Sequence, residues 1–122
     1  MQQRYYTAAS KKLAIAQCVR KDILRHPGKP YRLDQVSKKY RIDKTSLMFA
    51  FKQAYGVSII QFLKAQRVVQ AKHLLLNSGL AVKVIARDCG YKDVKHFGTM
   101  FREAVGVTPT AYRKNKWNDE DK

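Results

Sequence analysis

Two short stretches of this sequence carry donors and cations at a spacing that would align them on one side of a helix. With Leu47 inward and about 100° per residue, Thr45, Phe49 and Lys52 point outward, with Met48 and Gln53 at the edges. Some fifty residues on, Lys95, Thr99 and Arg102 hold corresponding outward positions. Side chains presented in this way can read the edges of base pairs. Lys95 could donate to guanine O6 or N7, and Thr99 could pair with a base edge or touch a thymine methyl. Lys52 and Arg102 suit phosphate oxygens. The competing account of these basic residues is an ordinary solvated helix face. Met48 and Phe49 have no such donors, and two accounts of them stand side by side: packing on thymine methyls, or packing on the first helix as core. The first stretch is therefore expected to contribute apolar and backbone contacts, and the second the polar readout.

Catalysis finds no comparable constellation. His26, His73 and His96 lie in different predicted elements, no His/Cys/carboxylate group has ligand spacing, and no glycine-rich phosphate loop follows a strand. No catalytic residue, metal or cofactor is expected. The two cysteines, Cys18 and Cys89, sit among apolar neighbours and read as buried free thiols in a reducing compartment. The charge balance is more informative. Lys and Arg number 25 against 9 acids, a net charge of +16, and three of those acids (Asp119, Glu120, Asp121) fall in the last four residues. Such a field favours polyanions, nucleic acid before an anionic membrane. With 122 residues, 45% of them hydrophobic, the chain can bury a core without disulfides. Leu13–Val19 is too short for a secretory signal and runs into Arg20–Lys21, so the cytoplasm is expected.

The elements that must position these residues are all helical. Residues 8–26 give a first helix with Leu13, Ile15, Ala16, Val19, Ile23 and Leu24 near one face, stopped by Pro27–Gly28 and Pro30. Leu33–Tyr40 is a short amphipathic run. Asp43 fits an N-cap for a helix lined by Leu47, Ala50, Phe51 and Ala54 and ended by Gly56. Ser58 can cap the longest helix, which runs to Asn77. Val82–Cys89 is short again, Gly90 makes a turn, Asp93–Val105 is a helix with Phe97, Met100, Phe101 and Ala104 inward, and Thr108–Pro109 starts the last one, with a polar, frayed tail from Asn115.

These elements repeat. At an offset of 49, Leu33, Val36, Tyr40 and Ile42 match Val82, Ile85, Cys89 and Tyr91. At an offset of 50, Leu47, Phe51, Lys52, Ala54, Gly56, Val57 and Ser58 match Phe97, Phe101, Arg102, Ala104, Gly106, Val107 and Thr108. Two helices joined by a tight turn, with a small residue facing the partner helix and a glycine four positions later, form a helix-turn-helix pattern. Ala86 and Gly90 supply these in the second copy; the first has Ser37 and Arg41, a less ideal turn if Arg41 is left-handed.

The run Ile85-Ala86, Gly90-Tyr91, Phe97, Phe101-Arg102, Gly106-Val107-Thr108-Pro109 and Tyr112-Arg113 resembles the C-terminal signature of the AraC/XylS family of bacterial transcription regulators. Arg67, Ala71 and Leu74–Leu75 resemble that family's linker helix, and the likeness covers residues 10 to 114. The resemblance implies an all-α fold of seven helices, with two helix-turn-helix subdomains joined by a long linker helix. It implies that helices about 44–55 and 93–105 enter successive major grooves of double-stranded DNA. Carried over by position, base contacts fall on Lys44, Thr45, Met48 and Phe49, and on Val94, Lys95, His96 and Thr99. Met48, Phe49, Ser37 and Arg41 depart from the family's usual residue types.

The division expected is an arm (1–9), a first subdomain (10–57), the linker helix (58–78), a second subdomain (79–114) and a polar tail (115–122). The function expected is a sequence-specific DNA-binding transcription regulator, nucleoid-associated and monomeric on DNA unless a dimerisation domain is missing. RNA polymerase is a further candidate partner. The alternatives are a nonspecific architectural binder, the DNA-binding fragment of a larger effector-responsive regulator, an RNA binder, and a protein-interaction module using Phe49 and Met48. RNA finds little support, because no RNP-like strand or GXXG loop occurs.

Overall fold

The structure is a computed structural model that describes residues 8–120, with side chains from 9 to 115. Within these residues it is all helical, in seven helices: α1 (Ala8–Arg25), α2 (Leu33–Tyr40), α3 (Lys44–Tyr55), α4 (Ile59–Asn77), α5 (Val82–Asp88), α6 (Val94–Val105) and α7 (Pro109–Glu120). Residues 1–7 of the expected arm and 121–122 of the tail lie outside the described residues. The stretch expected to fray from Asn115 instead continues α7 to Glu120, and no glycine or proline follows Pro109 to stop it.

Among the described residues the chain forms two compact units, residues 8–26 with 30–63, and residues 27–29 with 64–120. The first unit buries Ala16, Val19 and Ile23 of α1 against Leu47 and Phe51 of α3 and Ile59. No residue of α2 is fully buried, and its Leu33, Val36 and Tyr40 cover one side of this core. Tyr40 Oη donates to the Asp22 carboxylate at 3.1 Å. Burial, with Asp22 beside it, pushes the Tyr40 phenol up to about 12. The Arg20 guanidinium lies over the rings of Tyr55 and Phe62 at 5.3 and 5.7 Å.

The second unit packs Val68, Ala71 and Leu75 of α4 against Ile85, Ala86 and Cys89, and against Phe97, Met100 and Phe101 of α6. Tyr112 of α7 meets Phe101 edge-on at 5.5 Å. Segment 27–29 is seated here. Arg67 Nε donates to Pro27 O at 2.8 Å and Nη2 to Lys29 O at 3.0 Å, while the guanidinium covers the Tyr91 ring. Gly28 approaches the end of α5 so closely that a Cβ there would lie 2.0 Å from Asp88 O. Arg113 plays a similar part for the loop after α4, donating to Leu75 O, Ser78 O and Leu80 O.

The sequence repeat is also a backbone repeat. Ile42 N–H donates to Ser37 O at 3.0 Å and Tyr91 N–H to Ala86 O at 2.9 Å; Arg41 N–H donates to Lys38 O and Gly90 N–H to Arg87 O. Both turn residues are left-handed, Arg41 at φ 53° and Gly90 at φ 93°. Glycine takes that conformation freely, whereas arginine carries a cost of about 1 kcal/mol. The helix caps repeat as well. Ser58 Oγ accepts from Gln61 N–H while Gln61 Oε1 accepts from Ser58 N–H, a reciprocal capping box. Thr108 Oγ1 accepts from Ala111 N–H at 3.1 Å, with Pro109 following.

Three expectations are corrected by packing. Cys18 is exposed, and only Cys89 is buried. Two residues beyond Ala16 is about 200° around a helix, which turns Cys18 away from the core. Leu13 and Leu24 are 44% and 43% exposed, because both fall on the same edge of the narrow Ala16–Val19–Ile23 stripe. Ala54 and Ala104, one in each last turn of α3 and α6, are also exposed.

Candidate nucleic-acid interface

Each candidate reading helix is fixed at both ends by its own sequence. Asp43 caps α3, its carboxylate accepting from Ser46 N–H at 3.0 Å, and hydrogen bonding from the Ser46 side chain and backbone holds it below the usual carboxylate range. Asp93 caps α6 by accepting from Lys95 N–H at 2.9 Å. At the other end, left-handed Gly56 and Gly106 return their N–H groups to Lys52 O and Arg102 O at 2.7 and 2.8 Å. Buried Leu47 and Phe51 anchor the inner face of α3, and buried Phe97, Met100 and Phe101 that of α6. The outer faces are therefore set in register by what the inner faces bury.

All eight expected base-facing residues are exposed: Lys44, Thr45, Met48 and Phe49 on α3, and Val94, Lys95, His96 and Thr99 on α6. So are Lys52 and Arg102. Their surroundings differ. The Lys44 ammonium pairs with the Asp34 carboxylate of α2, which holds Asp34 below its ordinary range. Thr45, Met48, Phe49 and Lys52 continue the outer face, with Phe49 67% and Met48 43% exposed. Neither apolar residue belongs to the core, which removes one of the two accounts the sequence left open.

On α6, Lys95 has no ion-pair partner among the described residues. The Thr99 hydroxyl donates to Lys95 O at 3.2 Å, leaving its oxygen to accept and its methyl to touch. The His96 ring stands edge-on to Tyr91, centroids 5.6 Å apart. Four cations, two hydroxyls, an imidazole and three apolar side chains thus make up the outward positions, a set suited to hydrogen bonding, phosphate contact and apolar packing. Among the described residues no group of three or more His, Cys, Asp or Glu could hold a metal ion, and no helix is long and apolar enough to cross a membrane.

A shallow apolar groove beside the α3 face escaped sequence reasoning. Phe49, Ala50 and Gln53 line it from α3, and Ala9, Lys12 and Leu13 from the first turns of α1. The readable signal was the position of Leu13 on the edge of its stripe rather than at its centre.

Comparison with known proteins follows the same lines. A family described as a helix-turn-helix domain matches residues 36–115. The chain is similar to an HTH-type transcriptional activator, RhaR, from Cronobacter sakazakii, at 35% identity over 85 residues, which is 70% of this chain and 30% of that protein. It is similar to an uncharacterized HTH-type transcriptional regulator, YdiP, of Escherichia coli K12, at 35% identity over 98 residues, covering 77% and 32%. The chain thus spans about a third of the length of the curated relatives it matches. Among solved structures it resembles the C-terminal domain of AraT, a response regulator from Geobacillus stearothermophilus (TM-score 0.79, 31% identity, 83% of this chain and 84% of that one). It also resembles the DNA-binding domain of AdpA, a global transcriptional factor, in complex with a target DNA (TM-score 0.77, 26% identity, 82% and 90%).

Proposed function

The chain belongs to the AraC/XylS-type family of helix-turn-helix domains, and on that premise we propose that it is the DNA-reading part of a transcription regulator, binding double-stranded DNA sequence-specifically. The observation that carries this reading is the duplicated turn. Two tight turns with the same backbone hydrogen bonds each precede a capped helix whose outer face is exposed and polar or cationic. In this reading Lys95, His96 and Thr99 supply polar readout with Val94 beside them, while Lys52 and Arg102 neutralise phosphates. Lys44 would exchange Asp34 for the DNA backbone or a base. With two reading helices in one chain, the protein engages two successive major grooves as a monomer, without cofactor or catalytic activity. A cytoplasmic, nucleoid-associated location and contact with RNA polymerase belong to the same reading.

The test is selection from a randomised duplex pool at near-physiological salt, followed by binding of the winner, a scrambled duplex and single-stranded RNA across a salt series. Two sequence blocks about 10 base pairs apart, bound roughly 10³-fold above scrambled duplex, are expected. The net charge of +16 favours one other reading, an architectural binder. That reading wins if no motif emerges and affinity merely falls with salt.

A further inference from the structure

The outer face of α3 is chemically unlike that of α6. At its centre stand Met48 and Phe49, adjacent in sequence, 43% and 67% exposed, with nothing on them that can donate or accept a strong hydrogen bond. Phe49 forms one wall of a groove whose other wall includes Leu13 and Lys12 of α1. Cations surround the pair: Lys12 on the α1 side and Lys52 one turn further along α3, both exposed. An apolar centre inside a basic surround fits a surface that is itself anionic outside and locally apolar within. The major groove has that character, because phosphates flank it and the one apolar group displayed on its base edges is the C5-methyl of thymine.

We propose that α3 is a methyl reader: Phe49 and Met48 recognise the C5-methyl group of a pyrimidine, so the selection made at the centre of α3 rests on methyl groups and not on hydrogen bonds. This rests on the DNA-binding reading above and goes beyond it. A methyl at C5 presents the same apolar surface on thymine as on 5-methylcytosine. Binding under α3 therefore responds to cytosine C5 methylation as well as to thymine.

The experiment uses the whole chain and the duplex recovered by selection. The half under α3 is located by repeating the selection with Phe49→Ala and noting which positions lose their preference. Each thymine there is replaced by deoxyuridine, which removes the methyl and leaves every hydrogen-bonding group in place. A contacted position is expected to lose about fourfold in affinity, the value of one buried methyl-sized group. Placing a C·G pair at that position and methylating the cytosine at C5 should restore a similar factor. In Phe49→Ala the deoxyuridine penalty should vanish, whereas Phe49→Leu, which keeps an apolar contact, should retain part of it. Because Phe49 lies on the surface, the variants should keep the wild-type circular dichroism spectrum. A recovered site whose affinity ignores deoxyuridine everywhere in that half, or shows the same penalty in wild type and Phe49→Ala, overturns the methyl reading and leaves DNA specificity intact. Failure to recover any site overturns both.

Discussion

A single methyl group added at Gly28 measures how tightly segment 27–29 is seated in the second unit. Gly28 is not among the glycines with positive φ, so alanine there meets no backbone strain of its own. It meets the carbonyl of Asp88 instead, with Cβ 2.0 Å from the oxygen and 3.1 Å from the carbon. Carbon and carbonyl oxygen rest at roughly 3.3 Å, so the segment must retreat by about 1.3 Å. That retreat pulls Pro27 O and Lys29 O off the Arg67 guanidinium, which now holds them at 2.8 and 3.0 Å. Hydrogen bonds to a charged donor contribute about 1.5–3 kcal/mol each, and the Lys29 bond, being exposed, sits at or below the lower end. Allowing about 0.5 kcal/mol in alanine's favour from the stiffer unfolded chain, Gly28→Ala should cost about 2–4 kcal/mol. Urea unfolding followed by circular dichroism, on wild type, Gly28→Ala, Arg67→Ala and the double variant, gives both size and coupling. Since either change releases the same clamp, the double variant should lie within about 1 kcal/mol of the worse single one. A Gly28→Ala protein within about 0.5 kcal/mol of wild type, or two costs that add in full, would refute the close-approach reasoning.

Three further expectations follow from other parts of the molecule. Lys95→Ala should relax base preference beneath α6, at a cost of about 1–3 kcal/mol in discrimination, while Lys52→Ala should weaken cognate and scrambled duplexes alike and lower the salt slope by about one. Equal losses on both duplexes for Lys95→Ala would remove its assigned role. Arg41→Gly should raise stability by up to about 1 kcal/mol, the relief of a left-handed arginine less the greater freedom of unfolded glycine, and a lowered urea midpoint would count against it. Exposed Cys18 should react with a thiol reagent in the native protein and buried Cys89 only on unfolding. Burial pushes the Cys89 thiol from 9.0 up to about 12, so the unfolded chain loses this proton first and stability should fall as pH rises above about 9. A Cys89→Ala protein with the same alkaline decline would assign that decline elsewhere.

Much of the fold was legible because its signals are local. Asp43, Ser58 and Thr108 cap helices through atoms three residues away, and Gly56 and Gly106 close them within one turn. The repeat at offsets of 49 and 50 placed both turns, since a turn's backbone bonds span only a few residues, while the left-handed conformation of Arg41, conditional in the sequence, came from the structure. An outward face also follows from residues that must point inward, and Thr45, Lys52, Lys95, Thr99 and Arg102 were placed that way. Contacts between residues distant in the chain were not legible. Gly28 reads as a helix stop, yet its close approach is to a carbonyl 60 positions away, and Arg67 reaches backbone oxygens 38 and 40 positions back. Neither partner has a local signature, because a backbone carbonyl looks the same in every residue. The exposure of Leu13 and of Phe49, and the pairing of Lys44 with Asp34, depended likewise on how wide a strip of each helix its neighbours cover. The sequence by itself determined the helices, the ends that carry a cap or a glycine, and the repeat, through periodicity and bonds spanning a turn or less; only the tertiary packing decided which edge residues stay in water.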